Sequence, residues 1–161
     1  MSNAQWQVTV VEVAKVRLAG VRVHTTMDKA MQDCPKLWEE TFMPLMPKIT
    51  GTAQDAFQGT TYGVSVMTGE HTFDYWAAAP LPEDAPAPDG MLTMTLSGGV
   101  YACCTVNAME QLGDAYTMLY LTWPQEQNEY VPDMQAPCFE RYGRDYLESG
   151  RFEIFMPLIR R

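Results

Sequence analysis

The feature that most constrains this chain is that it reads twice in the same order: strand, helix, strand, strand. The first pass opens in Gln5 to Val23. There Val8, Val10, Val11, Val13, Val16, Leu18, Val21 and Val23 give the β-branched richness of a strand pair or one long bent strand, with a break expected at Ala19-Gly20. Asp33 is placed to cap a helix, and Pro35 is tolerated in its first turn. Leu37, Trp38, Thr41, Phe42 and Leu45 then recur at helical spacing, and Pro44 and Pro47 kink or stop that helix. Thr60 to Met67 and Thr72 to Ala79 follow as a strand pair joined through Gly69-Glu70-His71.

The stretch 82–90, rich in Pro, Ala and Asp, reads as a stiff, solvated linker. The second pass begins with Met91 to Val106, a strand broken at Ser97-Gly98-Gly99. Asn107 with Glu110 has the spacing of a capping box. It opens a helix whose stripe is Leu112, Ala115, Tyr116, Leu119, Tyr120 and Trp123, ended by Pro124. Cys138 to Tyr142 and Phe152 to Leu158 are the closing strands. Phe73-Asp74-Tyr75-Trp76 with Pro80-Leu81 looks like Phe152-Glu153-Ile154-Phe155 with Pro157-Leu158, which sets Trp76 in the position of Phe155. The expected fold class is therefore α+β: a tandem duplication of a strand-helix-strand-strand module, with antiparallel sheets, two helices on one side and a central ligand groove. One domain spans 5–161, with pseudo-repeats 5–81 and 91–161, and residues 1–4 read as a tag remnant.

Composition narrows the function. With 161 residues, 47% of them hydrophobic, the chain fits one compact domain. Its 11 Lys+Arg against 20 Asp+Glu give a net charge of −9, which argues against nucleic-acid binding and favours cationic partners. Apolar runs fall short of the roughly 20 residues that a spanning helix needs. Cys34, Cys103, Cys104 and Cys138 lack metal-ligand spacing, so reduced thiols of a cytoplasmic protein are expected. His24 and His71 stand apart from other ligand types, and no phosphate loop or dinucleotide fingerprint occurs. Neither a metal nor a cofactor is expected.

Glu140 is the sharpest site candidate. An unpartnered carboxylate in an apolar, aromatic strand titrates, pairs, or receives a cationic ligand. Its bland alternative is an edge-strand carboxylate paired with Arg141 or Arg151. Alternation sets Cys138, Glu140 and Tyr142 on one face, and Glu153 with Phe155 on one face of the last strand. If Glu140 faces the cleft, Phe155 and Trp76 are the expected aromatic walls, with Trp38 and Tyr101 as further contributors. Trp38, Phe42, Tyr116, Tyr120 and Trp123 also sit at the helical spacing of core residues.

Pro137-Cys138-Phe139-Glu140-x-Tyr142, the terminal Phe152 to Leu158, Leu96-Ser97-Gly98-Gly99-Val100-Tyr101-Ala102 and Val16-x-Leu18-Ala19-Gly20-Val21 together resemble the GyrI-like small-molecule-binding domain. That domain also serves as the effector-binding domain of multidrug-sensing transcription regulators. Among its members the chain is most similar to the stand-alone DNA gyrase inhibitor proteins. The resemblance implies two modules around a groove, a buried acid falling on Glu140 and an aromatic position falling on Phe155. It also implies a small hydrophobic, aromatic or cationic ligand. No helix-turn-helix segment precedes the first strand, so a free-standing binder is expected rather than a one-component regulator. Two alternatives accompany it: inhibition of DNA gyrase by protein contact, and hydrolysis of reactive cyclopropane-type compounds with Glu140 activating water.

Overall fold

A computed structural model describes residues 6–45, 48 and 59–161. The tag remnant, the expected strand start at Gln5 and the helix stop at Pro47 lie outside them. The elements run β1 (Val8–Val13), β2 (Val16–Thr26), α1 (Ala30–Lys36) with a π-helical continuation (Leu37–Phe42), β3 (Thr61–Met67) and β4 (Thr72–Pro80). After the linker come β5 (Leu92–Leu96) and β6 (Gly99–Val106). A 3-10 turn (Met109–Gln111) leads into α2 (Leu112–Thr117), a π-helical stretch (Met118–Thr122) and a closing 3-10 turn (Trp123–Gln125). Then follow β7 (Tyr130–Pro132), β8 (Cys138–Tyr142), α3 (Tyr146–Ser149) and β9 (Phe152–Arg160).

The strands form one open antiparallel sheet in the order β1-β6-β9-β8-β3-β4-β2-β5, with β7 on the far end of β9. The expected α+β duplication is visible in that order. β2, β4 and β3 are answered by β6, β9 and β8 across the central β3/β8 pair. The two end strands are not far apart. Val13 pairs Gly99 and Val16 pairs Leu96, so the register continues unbroken from β1/β6 into β2/β5. The two long strands thus form one bent ribbon that draws both ends of the sheet together. A Cβ on Gly98 would sit 2.9 Å from the Val13 carbonyl oxygen, which explains the Ser97-Gly98-Gly99 bend.

Several expectations are corrected here. The first long strand bends at Ala14-Lys15, and β2 runs unbroken through Ala19-Gly20 to Thr26. Gly20 serves close approach rather than a break, because its Cβ would lie 2.2 Å from the Ala77 carbonyl oxygen. α1 starts at Ala30 rather than at Asp33, which lies in its first turn and accepts a hydrogen bond from Thr25 Oγ1 at 2.7 Å. Helical residues continue through Pro44. The Asn107/Glu110 capping box does not form, since the chain enters its helix by a 3-10 turn with no side-chain cap. Pro124 does close that helix, inside the last 3-10 turn.

Both helices pack on one face of the sheet. Ala19, Val21, Ala77 and Ala79 lie against Leu37 and Phe42, while Ala102, Ile154 and Met156 lie against Ala115, Met118 and Leu119. The other face is buried without any helix from the described residues. Leu18, Val64, Ala78, Phe139 and Phe155 pack on one another, enclosed as the ribbon curls the sheet over them. Arg17 staples the linker to this body by donating to the carbonyls of Pro82, Glu83 and Ala85.

Candidate functional site

β8 lies at the middle of the sheet, between β9 and β3, so Glu140 is far from any edge. It stands opposite Ile154 on one side and Gly63 on the other, facing the helices. Its residue is only 5% exposed. Tyr142 donates its hydroxyl to Oε1 at 2.8 Å, and Tyr116, from α2, donates to Oε2. From the α1 continuation, Trp38 donates Nε1–H to the Tyr75 hydroxyl at 2.9 Å and meets the Tyr142 ring edge-on at 5.8 Å. Gly63 makes the space they share. A Cβ there would lie 2.3 Å from the Tyr75 hydroxyl and 3.0 Å from Glu140 Oε1.

No ion pair among the described residues involves Glu140. Arg141 pairs with Glu153 at 2.7 Å and Arg151 with Asp145 at 3.9 Å, which removes the bland alternative. Burial raises the Glu140 carboxyl above the ordinary carboxylate range, and the Tyr116 and Tyr142 hydroxyls pull it part of the way back. Burial and the neighbouring carboxylate push Tyr75, Tyr116 and Tyr142 upward, which keeps all three protonated, Tyr116 and Tyr142 as donors to Glu140. Cys34 is raised to about 12 and Cys138 to about 11, in each case mainly by burial. These are quiet thiols at the rim of the site. The arrangement is a buried carboxyl group held by neutral hydroxyls among aromatic rings.

Of the expected site residues, Glu140 and Trp38 come together on the helix face. Phe155, Trp76 and Tyr101 lie on the enclosed face. Phe155 pairs directly with Phe139 across β8/β9 and stacks on it at 4.7 Å and 12°. Tyr101 packs edge-on to Phe139 at 5.4 Å, and Arg22 lies over Trp76 at 5.6 Å. The walls around Glu140 are instead Tyr75, Tyr116 and Tyr142. Their signal was available in part: a tyrosine hydroxyl on an apolar stripe needs a buried partner, and a buried carboxylate needs donors.

The family model described as Cass2, integron-associated effector binding protein, matches residues 9–158. The chain belongs to this family. Its fold is the GyrI-like one that the sequence resembles. Among solved structures it is similar to SAV2435 bound to tetraphenylphosphonium, at 16% identity over 95% of this chain and 94% of that one, with a TM-score of 0.73. It is also similar to an integron cassette protein from the mobile metagenome of Vibrio cholerae, at 15% identity over 94% and 95% of the two chains and a TM-score of 0.63. The C-terminal domain of EcmrR matches at 13% identity over 96% and 98%, with a TM-score of 0.62. At these identities the likenesses show the fold. No curated protein sequence matches the chain. The family and its structural neighbours point to binding of a small-molecule effector. Among the described residues no cluster of metal-ligating side chains occurs, and no helix is long and apolar enough to cross a membrane.

Proposed function

We propose that this protein captures hydrophobic aromatic cations at Glu140, acting as an effector-binding domain of the cytoplasm built from two pseudo-repeats. The observation that carries this reading is the burial of Glu140 with neutral hydroxyls as its partners and no ion pair to it among the described residues. A carboxylate in that state gains most from a cation that is itself weakly hydrated, because such a cation loses little by leaving water. Tyr75, Tyr116, Tyr142 and Trp38 offer ring faces and edges suited to a dispersed positive charge. The tyrosine hydroxyls act as placeholders, holding the carboxylate until the cation replaces part of their contact. Phe155, Trp76 and Tyr101 back the site from the enclosed face, stiffening the strands that carry it. The likeness to a protein seen with tetraphenylphosphonium supports this class of ligand.

The test is calorimetry with tetraphenylphosphonium and with neutral triphenylphosphine oxide, on wild type and Glu140→Gln. The cation is expected to bind wild type and to lose affinity in the variant, while the neutral compound changes little. Equal losses for both compounds would sink the charge argument. A saturating ligand should also raise the melting temperature by mass action, giving a second readout.

A further inference from the structure

The geometry points to a second binding site, at the outer edge of β2: Arg22 and His24 accept an extended basic segment of a partner protein, which adds a strand there. Leu81 N–H donates to the Arg17 carbonyl and Met27 N–H to the His71 carbonyl, so odd-numbered residues of β2 turn their backbone groups toward β4. Alternation then turns those of Arg22 and His24 the other way. On that side β5 pairs with β2 only from Val16 to Gly20. Beyond Leu92 the chain swings away at Gly90, whose φ is +87°, and from Val21 onward no described strand pairs with β2 on the side away from β4. Among the described residues, two residues' worth of donors and acceptors stand open at a sheet edge, the usual template for strand addition.

The other half of the molecule shows what such a slot holds. Arg22 opposes Trp76 as Cys103 opposes Phe155, so Val23 and Thr25 correspond to Cys104 and Val106. There β1 runs on to pair Val8 with Cys104, and Trp6, two residues earlier, is buried in the cluster of Ala115, Met118 and Leu119. In the first half the corresponding slot is a cavity of about 250 Å³ lined by Val23, Leu37, Thr41, Asp33, Lys36 and Glu40. Its floor is apolar, as in the filled slot, but its walls bear two carboxylates against one ammonium. A lysine or arginine fits this chemistry, laying its aliphatic stem on Val23 and Leu37 and its charge between Asp33 and Glu40. The net charge of −9 favours approach of a basic segment.

Amide exchange read by NMR tests the site, using an acetylated octapeptide of alternating threonine and valine with one central lysine. Bound peptide is expected to slow the Arg22 and His24 amides more than about tenfold. Glu40→Lys, at an exposed position, should weaken the peptide by about fivefold through charge reversal. Arg22→Pro removes an outward N–H without touching the β4 ladder and should abolish protection at His24. Glu140→Gln should leave all of this unchanged, which separates the site from the cation pocket. Unchanged exchange at millimolar peptide would overturn the proposal. So would protection that rises with protein concentration alone, which assigns the edge to a second copy of the chain.

Discussion

Phe139 and Glu140 are neighbours in one strand, yet they belong to two different kinds of aromatic environment. On the enclosed face Phe139 stacks flat on Phe155, and Tyr101 closes the group edge-on while its hydroxyl goes to the Ser97 carbonyl at 3.1 Å. Ring meets ring there, and no charged side chain among the described residues is buried with them. On the helix face three tyrosines and a tryptophan turn their polar atoms toward each other and toward one carboxylate. Aromatic density is therefore a poor marker of a binding site in this fold. What separates the faces is where the polar atoms go: the enclosed face packs ring on ring, and the helix face gathers its polar atoms around one buried carboxyl.

The sharpest test of that division is Phe139→Ala. Phe139 is 1% exposed and central to the enclosed cluster, so the change should cost about 3–5 kcal/mol in denaturant unfolding. Cation affinity of the molecules that remain folded should hardly move. Loss of binding in a folded Phe139→Ala protein would show that the two faces act as one. Glu140→Gln should do the reverse, removing about 1.5–3 kcal/mol of cation affinity, the scale of a hydrogen bond to a charged group. It should also abolish a pH dependence of stability. Because burial raises the Glu140 pKa, the folded state keeps a proton that the unfolded chain has released. This contribution to stability is complete below the ordinary carboxylate range and is lost as pH rises through the folded pKa. Cation binding should strengthen over the same window. A pH series of unfolding and binding on wild type and variant reads both slopes.

The sequence made the architecture legible because the strand-helix-strand-strand pattern repeats. It also made half of the site legible. Strand alternation correctly sets Glu140 with Tyr142 and Phe155 with Glu153, since that needs only one strand at a time. Whether Phe155 meets Glu140 depends on register between β8 and β9, which the intervening α3 turn sets. A shift of one residue exchanges the faces, and nothing in either strand's own pattern decides it. Tyr116 was hidden for a related reason: on a helical stripe it looks like any core aromatic until its hydroxyl partner is known. Gly63 was invisible, since a glycine that makes room for a carboxylate across a strand pair leaves no local trace.

Gly63→Ala probes that room directly. The new methyl would lie 2.3 Å from the Tyr75 hydroxyl, so Tyr75 must withdraw and release Trp38. Overpacking of this kind costs about 1–3 kcal/mol, and a change in tryptophan fluorescence should accompany weaker cation binding. A variant with unchanged fluorescence and affinity would mean that the helix face repacks freely.

The smallest effect is expected at Arg141, which forms an ion pair with Glu153 on the face beneath the site. Its guanidinium lies 4.7 Å from the Phe155 ring centre and 2.7 Å from the Glu153 carboxylate. Both partners of the pair are partly open to water, at 37% and 35% side-chain exposure, so solvent screens most of their attraction. Arg141→Met keeps aliphatic cover over Phe155 and should cost at most about 1 kcal/mol in stability, from the lost cation–ring contact and ion pair. Cation affinity should be unchanged, because the Arg141 charge lies on the opposite face of the sheet from Glu140. Tighter cation binding in Arg141→Met, growing as salt is lowered, would show that the guanidinium is felt through the sheet. The low dielectric of the interior would then join electrostatically the two faces that packing keeps apart.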